Sequence, residues 1–130
     1  MKILSLDHLV LTVADLDVTS DFYCRVLGME DVRFSSGGIE RRALKFGEQK
    51  INLHLAGSEF EPKAADPKPG SADLCLIVDE PIKQVMAHLQ DMGVTPEEGP
   101  VQRTGATGPI LSVYFRDPDG NLIEVSRYTD

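Results

Sequence analysis

The sequence predicts an α+β fold: two βαβββ modules whose strands make a curved, mostly antiparallel eight-stranded sheet with the helices outside it. Three observations lead there. The chain repeats itself without a gap: His8 falls on Asp73, Val13 on Val78, and Leu27-Gly28-Met29 on Met92-Gly93-Val94, a constant offset of 65. The ends of the two halves align as well, Ile51-Asn52-Leu53 on Ile123-Glu124-Val125 at an offset of 72. Finally, the stretch from Leu111 to Tyr128 holds two apolar runs around Asp117-Pro118-Asp119-Gly120-Asn121, which is the pattern of a β-hairpin with strong turn chemistry. A half that cannot bury its own sheet needs its copy, so the repeat itself argues for paired modules.

Taken in order, Leu6 to Val13 alternates as a strand, with Leu6, His8, Val10 and Thr12 on one face. Asp15 suits the N-cap of a helix running through Leu27, whose apolar stripe is Val18, Phe22, Val26 and, near its edge, Tyr23. Gly28 supplies the left-handed residue that stops it. Strands are expected over 31–35, 38–46 and 50–56. Residues 57–71 are polar and proline-rich without periodicity, a linker or lid between module one (about 1–56) and module two (about 72–130) of a single 130-residue domain. Ala72 to Val78 then reads as a strand, and Asp79-Glu80-Pro81 opens a helix with the stripe Ile82, Val85, Met86, Leu89 and Met92. Gly93 ends that helix as Gly28 ends the first.

Composition narrows the partners. Thirteen basic against 21 acidic residues give a net charge of −8, which disfavours nucleic acid and anionic membrane. No apolar run approaches the roughly 18 residues of a membrane span. Asp7 and His8 interrupt the apolar N-terminal stretch, and no small-residue cleavage site follows, so no signal peptide is expected. Cys24 and Cys75 have no CxxC spacing and are expected to be reduced core thiols of a cytoplasmic protein.

The repeat brings four polar positions, His8, Asn52, Asp73 and Glu124, to the concave face expected of the sheet. His54, two residues beyond Asn52, points the same way, and Tyr114 stands on the strand beside Glu124. Imidazoles and carboxylates converging from separate strands make a site for a divalent cation, with open positions for substrate oxygens. Arg41, Arg42 and Arg103 are the candidates for gripping a substrate carboxylate. His88, on the second helix, is expected to face solvent.

Three stretches carry a family likeness: Leu6-Asp7-His8-Leu9-Val10-Leu11, the run from Asp21 to Met29 (DFYCRVLGM), and the run from Tyr114 to Glu124 (YFRDPDGNLIE). With them the chain resembles the vicinal oxygen chelate superfamily, which includes glyoxalase I, the fosfomycin and bleomycin resistance proteins and the extradiol dioxygenases. Lys50 to His54, with Glu59 to Ala65, looks like a virulence-associated glyoxalase-domain subgroup. The resemblance implies the glyoxalase/bleomycin resistance/dioxygenase fold, a homodimer, and a divalent metal (Zn, Ni, Mn or Fe(II)). It also carries two departures. Glyoxalase I enzymes have a carboxylate or Gln where this chain has Asn52, and His or Glu where it has Asp73.

From this come the expected roles. His8, His54 and Glu124 hold the metal, Asp73 is the general base, Tyr114 steadies a developing oxyanion, and Asn52 with the three arginines binds substrate. The leading expectation is a metal-dependent lyase or isomerase of glyoxalase type acting on a small molecule with adjacent oxygens. An Fe(II) extradiol-type dioxygenase and a metal-free small-molecule binding protein of the resistance type stand beside it. Whether the modules pair within or between chains is left open.

Overall fold

The internal copy is visible in the order of the strands. The computed structural model describes residues 1–129, and the chain divides into a unit ending at Pro69 and a unit starting at Gly70. The first contains β1 (His8–Val13), α1 (Leu16–Leu27), β2 (Glu30–Ser36), β3 (Ile39–Phe46) and β4 (Gln49–Leu55). The second contains β5 (Asp73–Ile77), α2 (Ile82–Asp91), β6 (Glu98–Gly105), β7 (Gly108–Arg116) and β8 (Leu122–Tyr128). Each forms one four-stranded sheet, ordered β1-β4-β3-β2 and β5-β8-β7-β6. All eight expected strands form, but as two mixed sheets, since the strand pairings among the described residues stay within a unit. In each unit the helix returns the chain, so the first strand pairs in parallel with the last and the other neighbours are antiparallel.

The first unit is built as its sequence reads. Asp15 takes an extended conformation and accepts a 2.9 Å bond from the Val18 amide, capping α1. At the other end Gly28 adopts φ 67°, and its amide bonds to the Cys24 carbonyl. Tyr23 and Val26 on α1 bury against Leu11, Val13, Leu44, Ile51 and Leu53 of the sheet. Burying side chains of this size contributes about 1.5–3 kcal/mol each. Arg42 fastens the same helix to the same face, pairing with Asp17 at 2.7 Å and Asp31 at 3.0 Å.

In the second unit Ile82 and Leu89 of α2 are buried, as are Val113, Phe115, Ile123 and Val125 of the sheet. Pro81 occupies the N-cap of α2 without a side-chain bond, so this helix starts less firmly than α1. The turn after β7 is tied by Asp117, whose Oδ1 accepts from the amides of Asp119 and Asn121 while Oδ2 accepts from Asn121 Nδ2. Asn121 Oδ1 in turn accepts from the Ala72 amide at 2.8 Å, fixing the entry to β5. A bulge in β6 at Gly99 brings its backbone against β7. A Cβ there would sit 2.6 Å from the Ser112 carbonyl oxygen, so only glycine fits. Residues 57–71 form no helix or strand, and all but the last two of them belong to the first unit.

Registers explain why the offsets of 65 and 72 hold. Val10 pairs with Asn52 in the first sheet and Cys75 with Glu124 in the second, so equivalent residues meet equivalent partners. Among the described residues no helix is long and apolar enough to cross a membrane.

Candidate functional site

One face of each sheet is covered by its helix, and the other carries the polar residues picked out from the sequence. In the first unit that open face presents His8, Val10 and Thr12 from β1, Asn52 and His54 from β4, Arg41 from β3 and Phe34 from β2. His8 is exposed, and its Nδ1 lies 2.8 Å from Asp7 Oδ2. His54 is buried at 3% exposure, and its Nε2 accepts a 2.9 Å bond from Arg41 Nη2. Burial first, and then the charge of Arg41, hold its pKa below the ordinary 6.5, against a smaller opposing pull from Glu59. The ring is therefore neutral at pH 7. Phe60 meets it edge-on at 5.3 Å between centroids. Asn52 is buried too, and its Oδ1 has no hydrogen-bond partner.

Arg42 alternates with Arg41 and so stands on the helix-covered face. There it is occupied with Asp17 and Asp31. Asp31 also accepts a 2.9 Å bond from Ser20 Oγ. Burial pushes the Asp31 carboxyl upward, but the bonds from Ser20 and Arg42 outweigh it and leave its pKa below 3.8. Arg42 is an anchor for α1, away from the face expected to meet substrate.

In the second unit the open face presents Asp73, Cys75 and Ile77 from β5, Glu124 and Ser126 from β8, and Ser112 and Tyr114 from β7. Glu124 Oε2 accepts from Ser112 Oγ at 2.6 Å and from Ser126 Oγ at 3.2 Å, and the two hydroxyls are themselves 2.6 Å apart. Tyr114 stands directly across from Glu124. Its pKa is raised above 10 by burial and by Glu124, with the guanidinium of Arg103 pulling the other way, so the phenol stays protonated. Arg103 donates from Nε to the Tyr114 hydroxyl at 3.1 Å and from Nη2 to Glu98 at 3.2 Å. Cys75, Arg103, Tyr114, Glu124 and Tyr128 line a cavity of about 410 Å³.

The structure thus brings His8, Asn52, His54 and Arg41 to one face of the first unit. Asp73, Tyr114, Glu124 and Arg103 lie on one face of the second. Among the described residues no group of three or more His, Cys, Asp or Glu side chains is placed to hold a metal ion. Cys75 corrects the expectation of two core thiols: it is exposed on the open face, 3.4 Å from Ser126 Oγ, because alternation along β5 turns Leu74 and Leu76 to the helix side instead. Cys24 is half-buried, and His88 is exposed as expected.

Sequence reasoning missed the seryl pair around Glu124 and the two phenylalanines around Arg41. Ser126 was legible as two residues on from Glu124, but Ser112 required the register between β7 and β8. Phe34 meets Arg41 because it stands directly across from it in the β2–β3 hairpin, and Phe60 because the chain after β4 returns to the face of His54.

A model of the Glyoxalase/Bleomycin resistance protein/Dioxygenase superfamily matches residues 5–125. The chain is 58% identical over its full length to glyoxalase domain-containing protein RDO1 of Mycosarcoma maydis, covering 72% of that protein. To virulence protein STM3117 of Salmonella typhimurium it is 57% identical over 95% of this chain and 83% of that one. The crystal structure of STM3117 superposes with a TM-score of 0.95, covering 99% of this chain and 100% of that one at 56% identity. More distantly, the chain is 27% identical to a probable lactoylglutathione lyase of Synechocystis, over 91% of each.

Proposed function

The chain belongs to the glyoxalase/bleomycin resistance protein/dioxygenase superfamily, and from that premise we propose that it is a divalent-metal-dependent lyase or isomerase of glyoxalase type, acting on a small molecule with adjacent oxygens. The observation that carries the reading is the state of two donors. His8 has its Nδ1 engaged by Asp7, the carboxylate–imidazole arrangement that fixes the orientation of a ligating histidine and leaves Nε2 as the nitrogen we assign to the ion. Glu124 takes both serines on Oε2, and the Tyr114 hydroxyl and Cys75 thiol also reach its carboxylate, which we assign as the acidic donor to a cation. A neutral imidazole and a carboxylate fit a borderline divalent ion. His54 fits less well, because its Nε2 already accepts from a guanidinium whose charge opposes a second cation. The distant likeness to a probable lactoylglutathione lyase supports the reaction class.

A divalent ion held by donors of these kinds would supply Lewis acidity for a substrate carbonyl. The protein's own groups do the rest. Tyr114, protonated because burial and Glu124 raise its pKa, donates a hydrogen bond to the oxygen on which negative charge gathers. Asp73, exposed on the strand beside β8, accepts the proton leaving carbon. Ser112 and Ser126 hold the Glu124 carboxylate in one orientation. The functional assembly in this reading is a homodimer.

Chelator-stripped protein titrated calorimetrically with Ni, Zn, Mn and Fe(II) tests the proposal, followed by turnover of the methylglyoxal–glutathione adduct. We expect one of the ions to bind. The His8→Ala and Glu124→Ala variants should each lose more affinity than the 10–100-fold typical of changes behind a ligand. Equal binding by wild type and both variants would overturn the metal site. Oxygen uptake with a catechol in the Fe(II) protein would instead favour ring cleavage.

A further inference from the structure

Arg41 differs from the other arginines of the first unit in meeting no acid. Arg25 pairs with Asp21, Arg33 with Glu40, and Arg42 with Asp17 and Asp31, whereas among the described residues Arg41 has no carboxylate partner. In a chain with 21 acidic residues against 13 basic, a half-buried guanidinium left without an anion has the character of a binding group. Glu59, the acid whose charge reaches His54, is committed to the Gly57 amide at 2.6 Å.

The surroundings hold this guanidinium in place without neutralising it. Nη2 donates to His54 Nε2 at 2.9 Å, and an imidazole that accepts there is uncharged. The guanidinium carbon lies 4.4 Å from the centroid of the Phe60 ring and 5.7 Å from that of Phe34. Lys50 Nζ sits 3.9 Å from the same Phe34 ring, adding a second positive charge on this face. Three buried polar atoms on the two strands have no partner; Arg42 Nε stands on the helix-covered face, whereas Arg41 Nε and Asn52 Oδ1 share the open one. An unsatisfied donor and an unsatisfied acceptor so placed are completed by a ligand that carries both an anion and a hydrogen-bond donor.

We propose that Arg41 binds the carboxylate of a small hydroxy or amido acid, with His54 as its positioning residue and Asn52 accepting a hydrogen bond from the ligand's hydroxyl or amide. Phe34 and Phe60 form apolar walls on either side of the anion, and Lys50 adds attraction at the rim. The site lies wholly within the first unit and requires neither the ion nor the reaction proposed above. Loss of one would leave the other standing.

The test is a titration of the ¹⁵N-labelled full chain, following the Arg41 Nε–Hε signal by NMR, with sodium lactate and N-acetylglycinate against lactamide and N-acetylglycinamide. The acids should shift that signal saturably and the neutral amides should not. Followed through the Phe60 ring signals, acid affinity should fall roughly tenfold or more in Arg41→Gln and in Arg41→Lys, which keeps the charge and loses the planar fork. His54→Ala should weaken binding similarly, and His54→Gln, whose amide oxygen can accept from Arg41, should restore most of it. Equal shifts by acids and amides would overturn the proposal. So would no saturable shift by either acid, or undiminished binding in the folded Arg41→Gln protein.

Discussion

The two units share a topology and a register but not a chemistry. Position for position, Val10 corresponds to Cys75, Ala43 to Tyr114, Asn52 to Glu124, and the Thr12–His54 pair to Ile77–Ser126. His8, which opens β1, is answered by Asp73, which opens β5. The open face of the first unit is therefore basic and amide-bearing, with His8, Arg41, Lys50 and Asn52. That of the second is acidic and hydroxyl-bearing, with Asp73, Glu124, Ser112, Ser126 and Tyr114. The helix-covered faces stayed more alike: Leu11, Leu44, Ile51 and Leu53 answer Leu76, Phe115, Ile123 and Val125, and only Arg42, opposite Leu53, is answered by an apolar residue, Val113. Duplication kept the residues that hold a sheet to its helix and let the opposite face diverge. Packing constrains volume on the covered side, whereas the other face keeps even its buried polar groups, such as His54, Ser112 and Ser126, by bonding them to polar neighbours.

The likeness of the covered faces can be broken most strongly at the core. Phe115→Ala and Leu44→Ala, both at sites with no exposure, should each cost about 2–5 kcal/mol in denaturant unfolding. A cost under about 1 kcal/mol in one unit only would mean that its core is not packed like the other's.

A smaller effect separates the helices. Asp15→Ala removes the bond to the Val18 amide and should cost about 1 kcal/mol. Pro81 makes no such bond, so Pro81→Ala should not produce a matching loss of capping. Hydrogen exchange in the first turn of each helix reads the difference.

The smallest effect per residue is in pH. In the first unit His54 is held below 6.5 by burial and by Arg41. Below pH 6.5 the unfolded chain takes up a proton that the folded one resists, so stability is lost as pH falls towards the folded pKa. Asp31, held below 3.8, adds a further loss from about that pH downward. At Cys75 and Tyr114 in the second unit the direction reverses. Burial raises the Cys75 thiol above 9.0 and the Tyr114 phenol above 10.0. As pH rises through those ordinary values the unfolded state releases protons first, and stability is lost towards alkali. Exchange protection should therefore weaken in acid for β4 and in alkali for β8. His54→Gln should remove the part of the acid loss that begins near 6.5.

Much of this was legible in the chain. Asp15 and Gly28 mark both ends of α1, the Asp117–Asn121 turn announces its hairpin, and the repeat predicts eight strands in two identical series. Strand alternation also placed Asn52 with His54, and Glu124 with Ser126, on shared faces. The partners of those residues were not legible. That Arg41 rather than Arg42 stands beside His54 depends on the register of β3 against β4, and a slip of one residue would have exchanged them. His54 read as a metal ligand for want of any sign that a guanidinium would claim its Nε2.

By itself, then, the sequence determined the elements, their order and the face on which each polar residue would stand, because helix caps, turn residues and side-chain periodicity are local properties of the backbone. Only the tertiary structure decided which groups touch: that the Glu124 carboxylate lies between two serines, that Arg42 anchors a helix, and that Arg41 is left without an acid. Those outcomes depend on distances of a few ångströms between residues separated by up to 25 positions. The register between strands and the seating of each helix set such distances, and no local pattern encodes them.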